Sequence, residues 1–183
     1  MYIKMDTITD KLLYETEWVS IKETPDHYIY VADKPGVLFL PITTIDDTFH
    51  ILLREEYCPI YPEPFTLTAI TGRIDTDELP AHTVKRELLE ETGYVVSDED
   101  ILYLSDIYYD KINATPDKLY IVFLRSTQPD REPTTDGTIH ERRAKNVWVT
   151  VNDIPSIVQF SQNGPLLIAL MKIYPYLITL EEE

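Results

Sequence analysis

The segment GRIDTDELPAHTVKRELLEETGY, Gly72 to Tyr94, carries most of the chemical information in this chain. Gly72 is followed after five residues by Glu78. After seven more come Arg86, Glu87, Leu88, a free position, Glu90, Glu91, another free position, Gly93 and Tyr94. A helix is expected from about Pro80 to Thr92, because proline suits a first turn and Gly93 suits the left-handed position just past the end. Ala81, Val84 and Leu88 then fall on one face and should pack on a sheet. Glu87 and Glu91 share another edge, with Glu90 beside them. Like charges one turn apart cost a few tenths of a kcal/mol, and the helix dipole disfavours anions at a C-terminus. Helix stability alone would not select this arrangement. A hard divalent cation would relieve it, and such a cation beside a glycine loop suggests phosphate chemistry.

Arg86 and Glu78 fit the same picture. A guanidinium next to carboxylates can orient them through paired hydrogen bonds, and Glu78 can anchor its far side across the loop. Gly72 to Asp77 would bend over the cation, with glycine allowing backbone to approach a ligand closely. An adjacent pair of glutamates is by itself usually a solvated helix face. Seven charged or glycine identities at set spacing are different: a chance match in such a chain has a probability on the order of one in a million.

Outward from this segment, the chain reads as strands. Trp18 to Lys22 and Tyr28 to Ala32 alternate weakly, and Val37 to Ile42 is a short apolar run. Ile45 to Thr48 reads as a hairpin turn and Phe49 to Arg54 as its returning strand. Phe65 to Ile70, Ile101 to Tyr109, Leu119 to Leu124 and Val147 to Val151 are further strands. Gln128 to Lys145 reads as a polar loop, and short helices are expected at Asn152 to Phe160 and Pro165 to Tyr174. This order predicts an α/β fold with helices on the faces of a mixed sheet.

The bulk numbers narrow the function. With 183 residues, the chain suits one domain with a substantial core. A net charge of −16 disfavours nucleic acids and anionic membranes, and it disfavours anionic substrates unless a bound cation reverses the sign locally. No apolar run approaches a membrane span, and the N-terminus lacks the apolar stretch of a signal peptide. The single cysteine, Cys58, forms no intrachain disulfide, which points to a reducing cytoplasm.

The Gly72–Tyr94 segment resembles the box of the Nudix hydrolases at every charged and glycine position. Tyr94 stands where that family usually has an aliphatic residue. The resemblance implies an α/β/α sandwich around a mixed β-sheet and hydrolysis of a nucleoside diphosphate linked to another moiety, with Mg²⁺ or Mn²⁺. It implies Glu87, Glu90 and Glu91 as metal ligands, with Arg86 and Glu78 in support; the Thr71 carbonyl is a further candidate donor. Metal-assisted cleavage would rest on Glu90, with the Gly72 backbone near the substrate; Arg54 and Arg73 are the candidate phosphate partners because few basic residues flank the segment.

More weakly, Ile51 to Pro59, Thr68 to Asp75 and Tyr103 to Leu124 resemble the ADP-ribose pyrophosphatase group. The N-terminal strands resemble its small β extension, which there helps form a dimer. The expected division is therefore residues 1–36 as an N-terminal extension and residues 37–183 as the Nudix domain, with a homodimer as partner. Departures bear on the substrate: Cys58 stands at an arginine position, Thr68 and Ile70 replace a Glu and a Pro, and Ala114-Thr115-Pro116 replaces a Ser-Pro-Gly. By analogy with that group, a loop carboxylate would act as base or bind another metal; Glu141 is the choice, with Glu132 and Asp136 as competitors. The leading substrate is ADP-ribose or another nucleoside diphosphate sugar. The alternatives are a dinucleoside polyphosphate, for which Tyr108-Tyr109 is a hint, a nucleoside triphosphate, or a catalytically silent nucleotide-binding regulator. His140 is expected to be exposed.

Overall fold

A computed structural model of the chain describes residues 10–16, 19–59, 63–108, 115–134 and 143–181. Glu141, Asp136, Tyr109, His140 and Ala114 lie outside these described residues. Among the described residues the strands form two sheets, one of three strands and one of seven. The small sheet is antiparallel, in the order β1 (Lys11–Glu15), β2 (Val19–Glu23) and β3 (Ile29–Asp33). Sequence reading places the second and third strands but not β1. Every residue of β1 is exposed, so its KLLYE sequence carries no buried alternation to read.

The larger sheet is built on β4 (Gly36–Ile45) and β5 (Thr48–Tyr57). They form a hairpin in which Ile45 faces Thr48. Asp46 and Asp47 close it with φ of 48° and 61°, the left-handed pair that matches strand twist in a two-residue loop. Beyond the paired tips the two strands splay. One chain segment fills the fork: β6 (Phe65–Thr68) pairs with β5, and after Ala69, β7 (Ile70–Arg73) pairs with β4. The single strand expected across Phe65 to Ile70 is thus two, because the segment changes partner at Ala69. β9 (Asp117–Phe123) runs parallel to β4 on its other side and is flanked by β8 (Ile101–Ile107), while β10 (Lys145–Thr150) pairs along β5.

Helices cover both faces. Along β4, Val37 and Phe39 point one way and Leu38, Leu40 and Ile42 the other, as strand pleating requires. On the first face lies α1 (Pro80–Thr92), whose fully buried Val84 and Leu88 join Val37, Phe39 and Ile70. Ala81 is only half-buried, at the edge of this contact. On the second face α2 (Ile154–Phe160) and α3 (Gly164–Glu181) set Ile154, Leu166, Leu170 and Ile173 against Leu38, Leu40, Ile51 and Leu53. α3 runs past the expected end at Tyr174 and carries Pro175 within it. Buried Leu177 continues the apolar stripe beyond the proline, and that packing outweighs the lost backbone hydrogen bond. The architecture is an α/β/α sandwich. No helix among the described residues is long and apolar enough to cross a membrane.

Candidate active site

α1 brings the acidic edge to the mouth of the sheet. Leu79, in extended backbone, caps its start with Pro80 in the first turn, and the helix stops at Gly93, whose φ of 82° is left-handed and whose N–H donates to Leu89 O at 3.0 Å. A side chain at Gly93 would also meet Arg131 O. These are the two punctuation marks the sequence supplies, and they fix which residues face the cleft.

Arg86 ties the site together. Its Nε donates to Glu78 Oε1 at 3.2 Å and its Nη2 to Glu78 Oε2 at 3.1 Å, a two-pronged contact across the loop. Nη2 also donates to Arg73 O at 3.0 Å, which pins the guanidinium to β7. Nη1 reaches forward to Glu87 Oε1 at 2.7 Å and Glu90 Oε2 at 3.2 Å. Glu78 receives further hydrogen bonds from Thr83 Oγ1 at 2.8 Å and Asp75 N at 3.2 Å. The Arg86 guanidinium first, then these donors, hold the Glu78 carboxyl down at about 2, while Glu78 and Glu87 push Arg86 above its ordinary range.

Glu87 lies flat against β7. A Cβ on Gly72 would sit 2.2 Å from Glu87 Cγ, so only glycine leaves room for this carboxylate. Glu91 is nine-tenths buried and faces Arg54, with Glu91 Oε2 and Arg54 Nε 3.3 Å apart. Arg54 is itself 3% exposed, and its Nη1 donates to Asn146 Oδ1 at 2.8 Å. It was expected at the substrate; instead it stands behind Glu91 and is not among the residues lining the cleft. Arg73 does line the cleft, with Nη2 3.5 Å from Asp33 Oδ1.

The cleft is a cavity of about 460 Å³ lined by Glu56, Glu87, Glu90, Glu91, Thr71, Gly72 and Arg73, with Lys34 among its cations. A cavity of about 420 Å³ beside Tyr94 and Asp130 is of similar size but contains none of these groups, so chemistry rather than volume singles out the first. The donors are carboxylates and backbone, the hard oxygen set that suits Mg²⁺ or Mn²⁺. The bare Gly72 Cα lets Glu87 lie against β7 with its carboxylate at the cavity wall beside Glu90 and Glu91, and this oxygen set fits such an ion. Among the described residues, however, no three acidic, His or Cys groups stand gathered in a ready cage. The reason is visible: Arg86 holds Glu87 and Glu90, and Arg54 holds Glu91. Sequence reasoning demanded a cation among the glutamates, and two guanidinium groups meet that demand. Repulsion on the helix therefore does not by itself require a metal.

Glu56, Thr83, Asn146 and Lys34 were missed. Glu56 follows Arg54 by two on β5, the strand repeat that puts both on one side, so its position was readable. Asn146 meets Arg54 only through the β5–β10 register, which no local pattern announces. Of the remaining expectations, Glu132 is exposed, and Tyr108 is 61% exposed. Tyr94 is buried, and its hydroxyl donates to Thr127 O at 2.6 Å, which explains how a phenol fits where an aliphatic residue is usual.

The NUDIX domain family matches residues 33–169. A crystal structure of an ADP compounds hydrolase superposes with a TM-score of 0.62 at 16% identity, covering 94% of each chain. At that identity the likeness concerns the fold. A comparison with curated proteins gives no match.

Proposed function

The chain belongs to the NUDIX domain family and is a Nudix hydrolase, and from that premise we propose that it hydrolyses the pyrophosphate bond of ADP-ribose or a related nucleoside diphosphate sugar. One observation carries the reading: a single guanidinium gathers Glu78, Glu87 and Glu90 at the wall of a 460 Å³ cavity that Glu91 also lines. That volume suits a small-molecule ligand, as ligand sites commonly fall at about 300–1,000 Å³. The substrate class rests on the weaker resemblance to ADP-ribose pyrophosphatases. The fold likeness to an ADP compounds hydrolase is in keeping with it.

A Mg²⁺ or Mn²⁺ ion bound through Glu87, Glu90, Glu91 and the Thr71 carbonyl would neutralise the diphosphate and favour ionisation of the attacking water. The chain's own residues supply the rest. Arg86, anchored by Glu78 and the Arg73 carbonyl, orients Glu87 and Glu90 and limits their motion. Arg73 and Lys34 bring positive charge to an otherwise acidic cleft and would meet substrate phosphate. Proton removal from water is assigned to Glu90 or to Glu141, which lies outside the described residues.

The test is a panel of ADP-ribose, other nucleoside diphosphate sugars, dinucleoside polyphosphates and nucleoside triphosphates, with Mg²⁺ or Mn²⁺ and product identification. AMP and ribose phosphate from ADP-ribose is the expected result. Preference for a dinucleoside polyphosphate would move the substrate, and a flat panel beside nucleotide binding would favour a silent regulator.

A further inference from the structure

A buried arginine is costly unless its charge is matched, and Arg54 is among the most enclosed polar side chains described, at 3% exposure. Three neighbours fix its place. Asn146 on β10 sits directly opposite Arg54 in the β5–β10 register and accepts from Nη1 at 2.8 Å. Glu91 on α1 comes within 3.3 Å of Nε. Glu56, two residues along β5, has its Oε1 3.9 Å from the same nitrogen. The guanidinium thus joins β10, β5 and the acidic helix: Nη1 donates to the Asn146 amide, while Nε makes no hydrogen bond and faces the Glu91 and Glu56 carboxylates as an ion pair.

We propose that Arg54 is a positioning residue and the resident counter-cation of Glu91: pinned by Asn146, it holds that carboxylate at the cleft wall before any divalent ion arrives. With Arg86 on Glu87 and Glu90, the acidic edge then stands against guanidinium charge before any divalent ion arrives. The inference rests on the proposed role of the cleft in metal-dependent hydrolysis, and it assigns Arg54 a task at that site other than touching substrate. Arg54 and an incoming cation compete for the same negative charge. Removing the guanidinium should therefore make the protein more dependent on metal.

The experiment is thermal unfolding of the full chain in EDTA and in saturating Mn²⁺. The variants are Arg54→Met, Glu91→Gln, the double variant and Arg54→Lys. Without metal, Arg54→Met is expected to lower Tm by about 10 °C, since breaking a buried pair strands the other charge. The double variant should regain at least half of that loss, because a neutral amide no longer needs the cation. Mn²⁺ should raise the Tm of Arg54→Met by more than it raises that of the wild type, and Arg54→Lys should stay nearer the wild type in both conditions. If Arg54→Met does not fold, folding of the double variant supports the proposal and its failure to fold overturns it. Additive losses, or equal Mn²⁺ increments in Arg54→Met and wild type, also overturn it by reducing Arg54 to packing. A wild type that neither binds Mn²⁺ nor hydrolyses any nucleotide would sink the proposed function while the metal-free cycle could still show coupling. An active wild type with no coupling would sink this inference alone.

Discussion

Replacing Glu78 by Gln keeps the shape of the loop anchor and removes its charge. The carboxyl accepts from Arg86 twice, from Thr83 and from the Asp75 backbone, and these hold it at about 2 against an ordinary 4.5. That difference corresponds to roughly 3 kcal/mol. Water around the Arg86 side chain, 32% exposed, screens it to about 1–2 kcal/mol. A chain of this length should then lose roughly 3–6 °C in Tm. Because the folded-state value lies below the unfolded one, the contribution is complete above pH 4.5 and disappears as pH falls through about 2. Urea unfolding of wild type and Glu78→Gln from pH 7 to pH 2.5 should show a constant gap down to about pH 5 and a shrinking gap below it. Turnover should also fall about 10- to 100-fold, since a guanidinium released from its anchor no longer fixes Glu87 and Glu90. A gap that keeps its full size down to pH 2.5, or no gap at pH 7, would refute the anchoring role.

Gly72→Ala should displace Glu87, whose Cγ would lie 2.2 Å from the new methyl carbon, and cut activity about tenfold or more; wild-type kinetics in this variant would contradict the contact. Tyr94→Phe should cost about 1 kcal/mol, read as a Tm loss of roughly 3 °C, with kcat/KM unchanged, because it removes only the hydrogen bond to the Thr127 carbonyl. Glu90→Gln should lower turnover by about 10²–10⁴-fold with a Tm close to that of wild type, because this half-exposed carboxylate serves chemistry more than the fold; full activity on the best substrate would remove it from the mechanism.

What could be read in advance follows distance along the chain. The Gly72–Tyr94 pattern is contiguous, so helix bounds, the Gly93 stop and the juxtaposition of Glu78, Arg86, Glu87 and Glu90 follow from local spacing. The hairpin at Asp46-Asp47 is local in the same way. The Arg54–Asn146 bond joins residues 92 apart and depends on strand register, so Arg54 read as an ordinary basic residue near the box. β1 escaped because an all-exposed strand has no hydrophobic period. α3 was cut short at Tyr174 because proline normally ends a helix, and burial of Leu177 beyond it is a tertiary effect. Arg86 is adjacent to the glutamates in sequence, but its reach to two of them at once depends on the loop and β7 that aim it.

The central claim is that the glutamate edge of α1 takes a divalent ion in the presence of a diphosphate ligand. Titration of Mn²⁺ into wild type and Glu87→Gln/Glu90→Gln, each with a non-hydrolysable ADP-ribose analogue, tests it by electron paramagnetic resonance or calorimetry. Wild type should bind Mn²⁺, and the double variant should bind at least about 10–100-fold more weakly while keeping the same far-ultraviolet circular dichroism spectrum. Equal affinity in the two proteins, or none in the wild type, would contradict it.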